Sequence, residues 1–598
     1  MGSGSPRCYH SPMPAEPQVS YRFGKFLLVT RDKRLLRHHT PVPLKPKAFQ
    51  TLLFMVKNPG RLLEKEEFLK GLWPESFVEE VALAQNISQL RKALGDGSHE
   101  IIETVPRLGY RFIGSVEVIT DEDSSSPVTI AVLPFEILGD KTDNEYLADG
   151  LTDEVIACLG QIDPLHLQVI GRTSVMSYKR TSKSLTEIGR ELGAAFLVES
   201  SMKPEGTRIR VTSKLIRAAD QLQKWSASYD AEPSSMLSFQ RQLSAAIAEQ
   251  IRLSLSTERL DALKRRQTKN PQAYDAYLRG RYYWNHFTPA TTRRAVECFT
   301  QATELDPHYA LAWSGIADAF SSAPIHADAS PADVWKKAQM ASEKAVCSEP
   351  ELPETQTSVG ILKFWLDWDW QAAETAYRNA IHLDPSYSLA HRMLAILLAC
   401  KREDAEGRAE MARARSLDPL DAMHHALSAQ VAFFTRDYSG AVEHARQSTI
   451  TLPDFWIGYY QLAQAYEQQG DYHLALEALR KAEDFGNANS KVTSLSGYLL
   501  ATLARTEEAS AILQKMQQIG NQRYFPPYAN ALVHAGLGNM DTTFEFLERA
   551  LEYHDVHLVL LTADPKWDSF RSDTRFVNLL NRSGLPPDTS RLFVASSR

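Results

Sequence analysis

Cysteine is scarce in this chain of 598 residues: Cys8, Cys158, Cys298, Cys347 and Cys400 stand far apart. No two have C-x-x-C or metal-ligand spacing, which excludes a disulfide scaffold and fits reduced thiols in the cytoplasm. No run of 18 apolar residues occurs, so no membrane span is expected. The opening MGSGSPRCYHSPMPAEPQ lacks an apolar h-region, so residues 1–18 read as a disordered tail and not as a signal peptide. Catalytic signatures are missing as well. Gly24-Lys25 sits in a strand-like run without the preceding glycine of a Walker loop, and no H-E-x-x-H, G-x-S-x-G or kinase catalytic loop appears. The expectation is a protein that is not an enzyme and needs no cofactor and no metal. The adjacent pairs His38-His39 and His424-His425 point apart on regular backbone and make poor joint ligands. DWDW (367–370) reads as a packed turn between paired helices, and Asp149 and Asp153 as a solvated helix face or cap.

What is present is ordinary in amount, 43% apolar and 23% charged, but uneven in charge. Residues 1–119 hold 17 Lys+Arg and 12 Asp+Glu, a net of +5, so the remainder carries −12 of the total −7. A basic head on an acidic body points to a polyanion partner for the head.

Three regions separate by pattern. Residues 19–118 open with a strand-like YRFGKFLLV and short pieces broken by prolines. A helix follows with Phe49, Leu52, Leu53 and Val56 on one face, started near Pro46 and stopped at NPG. LEKEEFLKGLW is a second helix. A third ends in AQNISQLRKAL, with Leu83, Ile87, Leu90 and Leu94 as its apolar stripe. Two β-rich runs around PRLG make a closing hairpin. Strands, three helices and a hairpin predict a winged helix-turn-helix. A polar linker covers 119–127. Residues 128–255 alternate strands and helices and predict a small α/β domain with a mixed sheet. Residues 270–560 repeat: Pro385, Pro419 and Pro453 are 34 residues apart, and Leu-Asp-Pro recurs at 305, 383 and 417. That period marks an all-α tetratricopeptide solenoid of seven or eight repeats, the last two degenerate, with a cap and tail at 561–598. The step from Pro307 to Pro350 is 43 residues, one period plus an insert of nine near SSAPIHADAS. Small and aromatic positions such as Ala295, Phe299 and Ala302, or Ala373, Tyr377 and Ala380, should pack the helix pairs.

A winged helix presents two polar surfaces. On the third helix, Gln85, Asn86, Ser88 and Gln89 carry amide and hydroxyl groups suited to base edges in a major groove. Arg91 and Lys92 suit phosphates. In the hairpin, Arg107 at the turn and Arg111 in the returning strand would meet a minor groove or phosphate.

The run LRKALGDGSHEIIETVPRLGYRF (90–112), with the segments before it, closely resembles the DNA-binding domain of OmpR/PhoB-type response regulators over about residues 19–115. The resemblance implies that residues 81–94 read the major groove of double-stranded DNA and that 103–112 contact the neighbouring groove. It further implies that the loop LWPESFVEE touches RNA polymerase, with Trp73 and Glu75 as contact candidates beside their readings as a core tryptophan and a solvated acid. Related winged helices often bind tandem half-sites in pairs, which leaves a dimer on DNA open. Two departures matter: Ser88 and Gln89 stand where several members place a base-reading arginine, and Pro106 where some carry arginine, so the target sequence does not carry over. Only a short tail precedes residue 19, so no receiver domain is expected. The order resembles CadC-like regulators, with a cytoplasmic location expected for this chain. Residues 128–255 look like a TolB-N-like module, often coupled to tetratricopeptide arrays and found behind adenylate cyclase domains. The implied function is sequence-specific transcriptional regulation, with a protein or peptide partner in the repeat groove. The alternative is a signalling scaffold whose winged helix contacts protein.

Overall fold

The computed structural model describes residues 19–584 apart from 25, 31–33, 38–39, 43, 73–79, 96–100, 115, 121–126, 139–144, 164–165, 206–207, 232–235, 252–267, 286–288 and 487–488. Contacts divide the chain into two compact units, Met1–Ser126 and Pro127–Arg598. The tail 1–18, most of the linker and the C-terminal tail beyond 584 lie outside the described residues.

In the first unit, the run expected as one strand is a hairpin. Gly24, at φ +53°, turns the chain between β1 (Val19–Phe23) and β2 (Phe26–Val29). β3 (Arg34–Arg37), β4 (Thr40–Val42) and β8 (Glu117–Thr120) complete an antiparallel sheet in the order β4-β3-β2-β1-β8. Ile119 and Thr120, placed in the linker by sequence, pair instead with Ser20 and Val19. Three helices follow: α1 (Pro46–Val56), opened by its proline, α2 (Lys65–Leu72) and α3 (Glu80–Leu94). A second sheet of β5 (Leu62–Glu64), β6 (Ile102–Val105) and β7 (Gly109–Phe112) has the order β5-β7-β6. Leu83, Ile87, Leu90 and Leu94 are all buried and join Leu52, Phe68 and Phe112 in one core. The domain is a winged helix-turn-helix.

The second unit begins with an α/β layer. β9 (Val128–Val132) lies between β11 (Leu167–Val169) and β12 (Phe196–Glu205), parallel to both, and β10 (Glu136–Ile137) extends along β12. β13 (Arg208–Arg217) and β14 (Leu222–Ala231) continue antiparallel. Sequence pattern alone does not mark β14. Both faces of the central strands are covered. Ile130, Val132 and Val198 pack with α4 (Glu145–Ile162) and α7 (Met236–Gln250), while Ala131, Leu133 and Leu197 pack with the short α5 (Arg172–Met176) and with α6 (Leu185–Leu192). Ser184 and Glu187 cap α6 reciprocally, and Gly193 ends it at φ +63°.

Eight antiparallel helix pairs follow among the described residues. They are α8/α9 (Pro271–Trp284, Pro289–Leu305), α10/α11 (Ala310–His326, Pro331–Ser348), α12/α13 (Pro353–Leu362, Trp370–Leu383) and α14/α15 (Ser388–Cys400, Asp404–Leu417). The rest are α16/α17 (Ala422–Phe434, Tyr438–Thr451), α18/α19 (Trp456–Gln469, Tyr472–Gly486), α20/α21 (Ser490–Thr502, Thr506–Gly520) and α22/α23 (Pro527–Gly536, Met540–Glu552). Ala295, Phe299, Ala302, Ala373, Tyr377 and Ala380 are fully buried at the crossings. A Cβ on Gly360 would stand 2.3 Å from the Tyr377 ring, so that crossing requires glycine. DWDW is a packed turn: Asp369 caps α13, and Trp368, at φ +56°, stacks on His554 with ring centroids 3.7 Å apart. Two 3-10 turns (Val556–Leu560 and Pro565–Phe570) and α24 (Thr574–Arg582) close the described chain, and among the described residues no helix is long and apolar enough to cross a membrane.

The repeats and the α/β layer share a core and an interface. Asp418, from one of the Leu-Asp-Pro turns, accepts from the Ser174 and Thr173 amides at 2.6 and 3.2 Å and so caps α5. Asp149 and Asp153 do not form a solvated face. Lys179 holds Asp149 at 2.6 Å, and Arg281 of the repeats holds Asp153 at 2.8 Å.

Candidate nucleic-acid interface

Burial of the Leu83–Leu94 stripe fixes which side of α3 faces outward. Gln85, Ser88 and Lys92 are exposed and Gln89 is half-buried at their edge. These four form one polar face on a helix about 22 Å long, a rod that fits a major groove.

Two residues expected on that face serve elsewhere. Asn86 is 9% exposed, and its Nδ2 donates to Thr51 Oγ1 at 3.3 Å, tying α3 to α1. Arg91 points to the hairpin: its Nη2 donates to the Ile102 carbonyl at 2.7 Å and to Thr104 Oγ1 at 2.8 Å. It is a brace between α3 and β6, with its charge turned along the wing.

The wing is β6, the turn Pro106-Arg107-Leu108 and β7. The turn closes with the Leu108 amide on the Val105 carbonyl at 3.2 Å and sets Arg107 at φ +68°, exposed at the tip. Arg111 pairs with Glu103 across the hairpin at 3.2 Å, so only part of its charge is free for a polyanion. Tyr110 and Phe112 pack inward, Phe112 fully. The Leu108 carbonyl accepts from the Lys65 amide at 3.2 Å, fastening the tip to the start of α2. The Leu108 side chain is 52% exposed. It is absent from the residues expected at the interface, although an apolar residue in a four-residue turn is itself a signal. Trp73 and Glu75 lie outside the described residues.

In the repeats, the inner surface expected to hold a peptide is partly filled by the chain itself. Thr562 donates to the Cys400 carbonyl at 2.7 Å, Arg436 to the Ala563 carbonyl at 2.6 Å, and Lys566 to Gln464 Oε1 at 2.8 Å. With Trp335 and Trp368 stacked on His554, the C-terminal segment contacts pairs two to six.

Residues 39–112 match the family described as transcriptional regulatory protein, C terminal. Residues 125–248 match the second domain of HilA/YgeH-like transcriptional regulators, and 427–490 match the tetratricopeptide repeat. Among curated relatives, the transcriptional regulator HilA of Salmonella typhi is 24% identical over 320 residues, 52% of this chain and 55% of that protein. The chain therefore spans about half the length of this relative. The transcriptional activator CadC of Escherichia coli K12 is 29% identical over 109 residues, 18% of this chain and 21% of CadC. The solved DNA-binding domain of E. coli CadC is 30% identical over 17% of this chain and 96% of its own, with a TM-score of 0.16.

Proposed function

We propose that this chain, built of an OmpR/PhoB-type winged helix, a HilA-like second domain and a tetratricopeptide array, regulates transcription by binding double-stranded DNA at promoters. The carrying observation is the exposed face Gln85, Ser88, Gln89 and Lys92 opposite a fully buried stripe, with Arg107 at the tip of an adjoining wing. Gln85, Ser88 and Gln89 read base edges, and Lys92, Arg107 and part of Arg111 meet phosphates or the minor groove. Leu108 supplies an apolar contact at the wing tip, of the kind that lies against sugars or wedges at a base step. Trp73 and Glu75 contact RNA polymerase by the family resemblance, and paired binding on tandem half-sites follows from the same source. The protein works in the cytoplasm through binding alone, without a catalytic step. The repeats take a protein partner on their outer faces, where Ile450, Leu474 and Phe485 stand exposed on pairs five and six, because the inner face carries the C-terminal segment.

The test is binding of the full chain to genomic fragments across a salt series, joined to genome-wide mapping of bound sites. The expected result is affinity that falls steeply with salt, by about 0.9 log units per log unit of salt for each phosphate neutralised. Absence of binding at low salt, or affinity indifferent to salt, defeats the reading. Unchanged gene expression in Gln89→Ala together with a lost protein partner would favour the scaffold instead.

A further inference from the structure

The first helices of the pairs face an interior cavity of about 180 Å³. Ile361, Trp365, Met393, Ile396, Tyr528 and Leu532 make much of its wall apolar. Against them stands a basic cluster on four different segments: His326, Arg392, Lys491 and His557. These groups feel one another. His326 opens onto the cavity; desolvation by the surrounding protein, with Lys491, Arg392 and His557, lowers its pKa to about 3, so it is neutral at pH 7 and the standing charge of the cluster is that of Lys491 and Arg392.

The cluster is under-satisfied. The Lys491 ammonium has no hydrogen bond or ion pair among the described residues. Its attracting acids, Asp328 and Asp555, are spent on Ser490 at 2.5 Å and on His557 at 2.8 Å. Arg392 reaches Asp421 with one nitrogen at 3.3 Å, and its buried Nε has no partner among the described residues. His557 is 4% exposed, and its Nε2 also lacks a partner among the described residues. By contrast Lys566, on the same wall, is held by Asp564 and Gln464. Asp318 faces the cavity too, but burial raises its carboxyl to about 7, which weakens it as a standing counter-charge. Lys491 and Arg392 are half-buried at the cavity; a partly desolvated cation without a counter-ion carries a cost, and an anion supplied from outside reduces it. Size sets the rest. A cavity of about 150 Å³ holds benzene, so this one takes a body of about six to ten non-hydrogen atoms.

We propose that the interior of the repeat array is a receptor site for a small organic anion, a carboxylate on an apolar body, held by Lys491 and Arg392. The walls come from the repeat helices and from the C-terminal segment, so an occupant bridges parts of the chain far apart in sequence and stabilises their closed arrangement.

The full chain is titrated calorimetrically at pH 7 with benzoate and hexanoate, and with benzyl alcohol and benzylamine as neutral and cationic counterparts. One saturable carboxylate site is expected, with the counterparts at least tenfold weaker. Lys491→Met should lose tenfold or more, and Lys491→Arg should retain binding. The pH profile tests the same cation without substitution. Desolvation lowers the Lys491 ammonium to about 8, against the pull of Asp328 and Asp555; His326, Arg392 and His557 line the same cavity, and Arg523 pairs with Asp328 at 3.8 Å. Its charge is present below that value and lost above it, so carboxylate binding should fade between pH 7 and 9. Benzyl alcohol or benzylamine binding as well as benzoate, no saturable binding of either carboxylate, or affinity unchanged in a folded Lys491→Met protein would each overturn the proposal. DNA binding is a separate readout, so failure of the carboxylate titration leaves the promoter-binding reading standing.

Discussion

Replacing Asn86 by alanine removes the donor to Thr51 and leaves a gap at the buried contact between α3 and α1, while Ser88, two residues on, is exposed and its hydroxyl has no hydrogen-bond partner among the described residues. Asn86→Ala should cost about 1–2 kcal/mol in denaturant unfolding of the first unit, and Ser88→Ala should stay within about 0.5 kcal/mol of wild type. In DNA binding the order reverses for Gln89→Ala, which should lose about 1–3 kcal/mol on the preferred site and little on random DNA. Lys92→Ala should weaken all sequences alike and lower the salt slope by about 1. Equal losses on preferred and random DNA for Gln89→Ala would take it out of base reading. The helical period tells which side of α3 is outward, so Gln85, Ser88, Gln89 and Lys92 are legible in sequence. The flank is not. Asn86 and Arg91 sit at the border of the stripe, where the partner decides direction, and those partners, Thr51 and the β6 strand, come from elsewhere in the chain.

At the scale of elements, the wing depends on one glycine. A Cβ on Gly109 would stand 2.0 Å from the Leu63 carbonyl, inside the β5–β7 pairing. Gly109→Ala cannot be absorbed by a side-chain shift. It should cost about 3 kcal/mol or more and abolish DNA binding along with wing order, seen as loss of amide protection in β5 and β7. An unchanged melting curve would contradict the pairing of Glu64 with Gly109. The elements most legible in sequence are those with strong periods: the three helices of the first domain and the repeat helices, whose starts keep the 34-residue spacing from Ser388 through Ala422 and Trp456 to Ser490. The misses have local causes. YRFGKFLLV holds its turn in a single glycine, too short a break to interrupt an apolar run. β14 reads as polar because its strand carries Gln223, Lys224, Ser226 and Ser228 at the edge of the sheet, where pairing and not burial makes it a strand.

An open solenoid has contacts only between neighbouring repeats and unfolds piecemeal. This array is closed on itself. The irregular step after Pro307 lengthens α10 and brings Asp328, at φ +50°, to the start of α20, where its carboxylate accepts from the Ser490 amide and hydroxyl at 3.1 and 2.5 Å. Pair two is thereby latched to pair seven, 162 residues away. The C-terminal segment adds struts across pairs two to six, with Trp567 fully buried at its centre and its indole donating to Tyr528 at 2.9 Å. The period reveals the repeats but not the closure, because the residues that close it are the ones that depart from the period. Closure converts nearest-neighbour stability into long-range cooperativity, so the second unit should melt in one sharp transition. Trp567→Ala should remove about 3–5 kcal/mol and also lower the steepness of the urea transition, as the pairs begin to unfold separately. Asp328→Ala should have the smaller stability cost but the same loss of steepness, since it cuts the latch and leaves the core packed. A loss of stability in Trp567→Ala at unchanged steepness would mean that the pairs are coupled only through their neighbours.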